Sequence, residues 1–146
     1  MKQKGYVKQP VNVAITGKIG AGKTTVCRLL RKEGFQVFES DKEINKLFRK
    51  KKVNAQIVNS FSKKVKGLLN IDGDINKNAL GKFVFSDKKE LKKLEQILYP
   101  LLEIQKDKFK KKNSSKTIIF FDVPLLFEKK IHATFDKIIL LKVLKF

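Results

Sequence analysis

Residues 11–25 read VNVAITGKIGAGKTT, and this stretch decides the fold. Residues 11–16 form a short run rich in β-branched side chains, which predicts a β-strand. Residues 17–24 match the pattern G-x-x-x-x-G-K-[ST], and the apolar residues that follow recur at helical spacing. A strand, a glycine-rich turn and a helix in this order predict a loop that holds the phosphates of a nucleotide.

The chemistry of phosphate binding explains the spacing in this loop. Glycines let the backbone wrap closely round the phosphates and aim N–H groups at them, and the positive N-terminus of the helix adds to this attraction. We expect Lys23 to reach the β- and γ-phosphates as a catalytic cation, and the Thr24 hydroxyl to ligate Mg²⁺. The predicted nucleotide-binding residues are Gly17, Gly20, Ala21, Gly22, Lys23, Thr24 and Thr25. The motif does not distinguish a kinase from an ATPase or a GTPase.

Two carboxylates stand at the ends of predicted strands, where ligands gather in α/β sheets. Asp41 follows the short apolar run at 36–39 and could take a proton from an acceptor hydroxyl, but its spacing also fits a helix cap. Both interpretations of Asp41 stay open on spacing alone. Asp122 ends the apolar run at 117–122, where a carboxylate can hold the Mg²⁺ shell. A strand-end turn residue is the alternative for Asp122.

The remaining patterns predict an α/β fold with a parallel sheet, because short strands alternate with helices. Residues 117–122 and 137–143 are continuous apolar runs that predict strands of such a sheet. Residues 53–66 have weak helical periodicity, and residues 70–78 are rich in turn formers. The lysine-rich residues 110–116 are expected to form a solvated loop.

Two further helices are predicted from their start signals. Ser40 with Glu43, and Asp87 with Glu90, have the spacing of a capping box. Leucines at intervals of three and four follow the second signal and predict the clearest helix of the chain. Pro100 is expected to end or kink that helix.

The net charge of +20 follows from 34 basic and 14 acidic residues. Such a charge suggests a nucleic-acid partner. Only three basic residues are arginine, however, whereas readers of bases and phosphates usually depend on the planar fork of arginine. The lysines are spread along the chain together with Ile, Asn and Phe, which share AT-rich codons with Lys. A drift in base composition therefore explains the high lysine content at least as well as selection for binding a polyanion. We therefore expect no specific nucleic-acid partner, and a lysine-rich nucleic-acid binder stays an alternative.

Length and cysteine content bound the class of protein. A chain of 146 residues that is 42% hydrophobic suits one domain with a core. Cys27 is the single cysteine, which favours a reducing, cytoplasmic compartment, and buried packing is its expected role. No apolar run reaches the roughly 18–20 residues of a membrane span, so no membrane partner is expected.

Four blocks of sequence, taken together, resemble the dephospho-coenzyme A kinase family. They are ITGKIGAGKTT at 15–25, VFESD at 37–41, LGKFVFSDKKELKKLEQILYP at 80–100 and DVPLLFE at 122–128. The third and fourth blocks are far more specific than a phosphate loop, and the resemblance covers about residues 12–142.

The resemblance implies an activity and an architecture. The reaction would be transfer of the ATP γ-phosphoryl group to the ribose 3′-hydroxyl of dephospho-coenzyme A, with Asp41 as general base and with ATP and Mg²⁺ bound at the loop. The fold would be a three-layer P-loop α/β/α fold with strand order 2-3-1-4-5. Residues 45–100 would form a helical insert that receives the coenzyme A precursor. We expect a monomer.

Two substitutions and the end of the sequence depart from the family pattern. Tyr99 stands where the family usually has His before Pro, and Glu39 replaces an Asp. The family continues past position 146 with an arginine-bearing lid and a fifth strand. We therefore expect a C-terminally truncated member, with a flexible leader at 1–10 and a single P-loop kinase domain at 11–146.

The missing lid leaves the functional interpretation open between alternatives. A lid arginine can contribute about 10³–10⁵ in rate, so the chain is expected to bind MgATP and turn over slowly. Without a fifth strand, the strand at 137–143 would be an open apolar edge. The alternatives are an ATP-binding remnant with little or no catalysis and a P-loop kinase for another small nucleoside or nucleotide.

Overall fold

The computed structural model of the chain describes residues 8–18, 20–123 and 134–144. Most of the predicted leader and residues 124–128 of the fourth family block lie outside the described residues. The chain divides into two compact units. The sheet unit consists of the described parts of residues 1–40 and 106–146, and the helical unit consists of residues 41–105.

Four short strands form one parallel sheet in the sheet unit. They are β1 (Val11–Gly17), β2 (Val37–Glu39), β3 (Ile118–Asp122) and β4 (Lys137–Leu141). The strand order is β2-β3-β1-β4, and each neighbouring pair is parallel. This order confirms the predicted α/β fold and the first four strands of the expected arrangement.

Burial along the sheet follows the position of each strand. The central strands β1 and β3 are buried at their middle residues, and each has a paired strand on both sides. Among the described residues, β4 pairs only with β1, and Leu140 is 54% exposed. Within the described residues, β4 is therefore an edge strand with exposed apolar side chains, over Lys137–Leu141 of the strand predicted at 137–143.

Helix α1 (Lys23–Lys32) packs its apolar face on the sheet. Cys27 is fully buried there with Val13, Ile15 and Phe120, which confirms its predicted packing role. Leu29, which shares the helical spacing, is half exposed instead. The periodicity predicted the helix correctly, but the sheet covers only part of the apolar face.

A cluster of aromatic rings forms another part of the core of the sheet unit. Phe121 on β3 contacts the rings of Phe38, Phe109 and Phe135, with centroid distances of 5.8, 5.4 and 5.1 Å. The rings of Phe38 and Phe109 also meet, at 5.4 Å and in an edge-to-face arrangement. Such arrangements match the quadrupoles of the rings and add to the stabilisation from burial.

The other helices lie wholly or partly in the helical unit: α2 (Ser40–Phe48), α3 (Lys51–Phe61), α4 (Lys77–Phe85) and α5 (Lys88–Lys112). Helix α4 was not predicted, because turn formers and a glycine dominate the sequence around its start. The Asn76 side chain caps it by accepting a hydrogen bond from the Ala79 amide at 3.2 Å. Leu80 and Val84 are buried and hold α4 in place.

Helix α5 is longer than the sequence indicated. It continues through Pro100 and ends at Lys112, so the alternative that Pro100 ends the helix is wrong, and the loop predicted from residue 110 begins only after Lys112. An internal proline costs a helix about 3 kcal/mol. The burial of Leu94, Leu98 and Leu102 on one face offsets that cost.

The capping box predicted at the start of α5 forms only in part. The Asp87 carboxylate accepts a hydrogen bond from the Lys89 amide at 2.9 Å. Glu90 does not complete the box, because its Oε1 atom instead accepts from Lys64 at 2.7 Å and Lys93 at 3.3 Å.

Within the described residues, no helix is both long and apolar enough to cross a membrane.

Candidate nucleotide-binding site

The predicted phosphate loop lies between the end of β1 and the start of α1. Its described residues turn sharply, since the Ala21 amide donates to the Lys18 carbonyl at 3.0 Å. Gly22 precedes the helix in the left-handed conformation, with φ 89°, which L side chains rarely adopt. The first N–H groups of α1 have no side chain to cap them at Gly22 and face no acidic residue in the first turn. This helix end is suited to an anion.

Gly17 is needed for a different reason, which is the close approach of β4. A Cβ atom built on Gly17 would lie 2.9 Å from the Leu141 carbonyl oxygen and 3.3 Å from the Ala21 Cβ. A side chain here would push against backbone, which cannot rotate away. The first glycine of the motif therefore lets the end of β1 lie close to both Ala21 of the loop and Leu141 of β4.

Lys23 and Asp122 meet at the mouth of this loop. The Lys23 Nζ atom lies 2.9 Å from Asp122 Oδ1 and donates to the Val123 carbonyl at 3.4 Å. Both side chains are largely buried, with 18% and 14% of their areas exposed. The structure thus brings together two of the predicted site residues. The Val123 carbonyl was missed, because a backbone acceptor has no signature in the sequence.

The predicted threonines continue α1 directly after Lys23. Thr24 and Thr25 are both exposed. The side chains of Thr24 and Asp122 offer only oxygen atoms as metal ligands, and Mg²⁺ prefers oxygen ligands. These residues fit a hydrated magnesium ion, and their role as its holders stays a prediction.

A second ion pair lies further along the same side of the sheet unit. Arg31 of α1 donates to the carboxylate of Glu39, which ends β2 and stands opposite Asp122 in the strand register.

Burial raises the pKa of the Cys27 thiol to about 11, and the Asp122 carboxylate adds to the shift. The thiol therefore remains protonated and takes no part as a nucleophile at neutral pH.

Asp41 lies in the first turn of α2, at the beginning of the helical unit, and is exposed. The helix already includes Ser40, so Asp41 is not the residue that precedes it as a cap. A carboxylate in a first turn interacts favourably with the helix dipole. Ser40 is buried, and its Oγ atom has no hydrogen-bond partner among the described residues. The predicted catalytic role of Asp41 remains a prediction.

The helical unit contains a buried ionic cluster that sequence reasoning missed. Glu90 is 7% exposed and is held by the ammonium groups of Lys64 and Lys93. The hydrogen bond from Lys64 holds the pKa of Glu90 below its ordinary value. The only sequence signal was the i,i+3 spacing of Glu90 and Lys93, which the capping-box interpretation obscured.

A groove of about 640 Å³ lies in the same unit. Lys50, Lys52 and Lys93 supply its positive charge, and Val53 and Leu101 are among its apolar walls. A groove with cations and apolar walls is complementary to a ligand with anionic and apolar parts.

The parallel sheet, the glycine loop and the facing Lys23 and Asp122 define the class of P-loop nucleotide-binding proteins. A family model described as dephospho-CoA kinase matches residues 11–145. The chain belongs to the dephospho-CoA kinase family, whose members are kinases that use ATP.

Individual relatives support this assignment. The chain is 38% identical over 127 residues to the dephospho-CoA kinase of Fusobacterium nucleatum, covering 87% of this chain and 64% of that protein. It is 40% identical over 130 residues to that of Buchnera aphidicola, covering 88% and 60%. The chain therefore spans less than two thirds of the length of these curated relatives.

Solved structures share the fold. A Thermus thermophilus protein superposes with a TM-score of 0.76 at 30% identity, covering 92% of this chain and 66% of that one. The dephospho-CoA kinase of Campylobacter jejuni superposes with a TM-score of 0.68 at 24% identity, covering 88% and 64%. The second likeness supports the fold alone.

Proposed function

We propose that the protein transfers the γ-phosphoryl group of ATP to the ribose 3′-hydroxyl of dephospho-coenzyme A, the last step of coenzyme A synthesis. The observation that carries this proposal is the Lys23–Asp122 pair beside a phosphate loop in a chain of this family. Phosphoryl transfer demands positioning and charge neutralisation more than covalent chemistry by the protein. The loop residues are well suited to both tasks.

In this proposal the loop holds ATP through its backbone. The N–H groups of residues 20–24 surround the β- and γ-phosphates, and Lys23 neutralises charge that develops on the transferred group. Thr24 and Asp122 would hold Mg²⁺, which would supply further neutralisation of the phosphate oxygens.

Asp41 acts as the general base. Its carboxylate takes the proton of the 3′-hydroxyl while the bond from that oxygen to the γ-phosphorus forms and the bond from the γ-phosphorus to the ADP oxygen breaks. Its place two residues after β2 and its match to the family's VFESD-like block support this role. The exposed carboxylate is accessible to a substrate.

The helical unit receives the acceptor in this proposal. The groove of Lys50, Lys52 and Lys93 is complementary in charge to the diphosphate of dephospho-coenzyme A, and its apolar walls suit the aliphatic arm. Both units then belong to a single kinase domain at 11–146. We further propose that this domain works as a monomer in the cytoplasm. Light scattering on the purified chain would measure its molar mass and so test the monomeric state.

Product formation tests the proposal directly. The purified chain is incubated with MgATP and dephospho-coenzyme A, and coenzyme A is measured by mass spectrometry. A Lys23→Ala chain, purified in parallel, controls for contaminating host kinase. Coenzyme A from the parent chain alone is the expected result.

A second candidate function is nucleotide binding without turnover, which the phosphate loop by itself would support. ATP binding by the parent chain with no product would favour this candidate. Phosphorylation of another nucleoside or nucleotide, but not of dephospho-coenzyme A, would instead change the acceptor.

A further inference from the structure

The Lys23 ammonium is held from two sides in the structure. Asp122 Oδ1 lies 2.9 Å from Nζ, and the Val123 carbonyl accepts from it at 3.4 Å. The ammonium N–H groups that Lys23 directs at these two acceptors are the donors that a phosphate-loop lysine offers to the β- and γ-phosphates. The Asp122 carboxylate and the phosphates of a nucleotide would therefore bind the same Lys23 ammonium group.

The acceptors that hold Lys23 are fixed by the sheet. Asp122 stands in register between Ile15 and Glu39, and the Val123 amide donates to the Ile15 carbonyl at 2.9 Å. The lysine is the mobile partner, because its four-carbon stem is flexible. Any adjustment on nucleotide binding thus falls on the Lys23 side chain.

We propose that Asp122 has a second role as a latch on Lys23. Without nucleotide, Asp122 keeps the ammonium at the strand end. When phosphates bind, Lys23 transfers to them, and the carboxylate becomes available to the hydrated cation. This inference rests on the proposed nucleotide binding and goes beyond it, because it makes nucleotide and Asp122 competitors for the same ammonium.

Competition predicts that replacing Asp122 strengthens ATP binding without metal and reduces the gain in ATP affinity that Mg²⁺ provides. In EDTA, the ion pair opposes binding, so Asp122→Asn is expected to bind ATP about tenfold more tightly than the parent chain. In Mg²⁺, the variant lacks the metal-holding carboxylate, so the gain in affinity on adding Mg²⁺ is expected to shrink. A merely structural role of Asp122 would weaken binding under both conditions.

A double-mutant cycle separates the latch from simple repulsion between Asp122 and the phosphates. Affinity for ATP in EDTA is measured by calorimetry for the parent, Asp122→Asn, Lys23→Met and the double variant. The latch predicts that Asp122→Asn tightens binding only when Lys23 is present. Equal tightening in both backgrounds would mean simple repulsion and overturn the latch.

Two controls complete the experiment. Asp107→Asn changes the net charge equally at an exposed position of α5 and is expected to leave ATP affinity unchanged. Asp122→Ala replaces the Asn variant if circular dichroism shows that the latter is unfolded. Unchanged EDTA affinity in a folded Asp122 variant, with MgATP bound by the parent, would overturn the latch alone. Absence of MgATP binding by the parent would overturn the proposed function as well.

Discussion

Replacing Gly17 by alanine tests how tightly the phosphate loop is built between β1 and β4. The new Cβ would meet the Leu141 carbonyl oxygen at 2.9 Å and the Ala21 Cβ at 3.3 Å. Overpacking of this kind costs about 1–3 kcal/mol, and the loss of backbone freedom in the unfolded chain returns about 0.4–1 kcal/mol. We expect a net loss in the free energy of unfolding of about 1–2 kcal/mol.

That loss corresponds to a fall in melting temperature of roughly 3–8 °C for a domain of this size. Thermal unfolding followed by circular dichroism measures it. ATP affinity is expected to fall too, because relief of the clash displaces the loop or β4. A competition assay with a fluorescent ATP analogue measures that effect.

Gly81→Ala provides a matched control of opposite sign. Gly81 lies inside α4, and an added Cβ would make only ordinary contact, at 3.8 Å from the Phe85 ring. Alanine is favoured over glycine in a helix interior by about 1 kcal/mol, so this variant is expected to melt higher than the parent. A Gly17→Ala chain that melts at or above the parent would refute the reasoning from the close approach of β4.

Three further predictions follow from the site and the helical unit. Asp41→Asn is expected to lower kcat at least about 100-fold with little change in ATP affinity, and steady-state kinetics with calorimetry would show a different base if kcat persists. The lowered pKa of Glu90 means that its ion pairs stabilise the fold fully above its ordinary pKa and are lost as pH falls through the lower folded-state pKa. Melting of Glu90→Gln should therefore depend less on pH in the acid range than melting of the parent, and identical profiles would contradict this. Lys50→Glu with Lys52→Glu is expected to raise KM for dephospho-coenzyme A about tenfold but not KM for ATP, whereas the same change at residues 88–89 should alter neither.

Much of the sheet unit could be predicted from local sequence. Each strand is a short apolar run, and the glycine loop lies where residues 17–24 place it. Local composition suffices here because strand propensity and turn chemistry act over a few residues. The family blocks then supply the strand order, which the periodicity of the chain does not contain.

The helical unit was less predictable for physical reasons. Helix α4 begins among turn formers and depends on the Asn76 cap and on burial of Leu80. Helix α5 continues through Pro100 because buried leucines on both sides of it outweigh the lost hydrogen bond. In both cases tertiary packing overrides local preference.

The sequence by itself determined the phosphate loop, the four strands, the membership of the kinase family and the pair of candidate carboxylates. Only the tertiary structure decided that Lys23 is held by Asp122 and by a carbonyl 100 positions away. It also decided that Gly17 faces the backbone of β4 and that Glu90 joins two lysines. Propensity and motif are properties of neighbouring residues, whereas these contacts exist only when folding brings distant segments within a few ångströms.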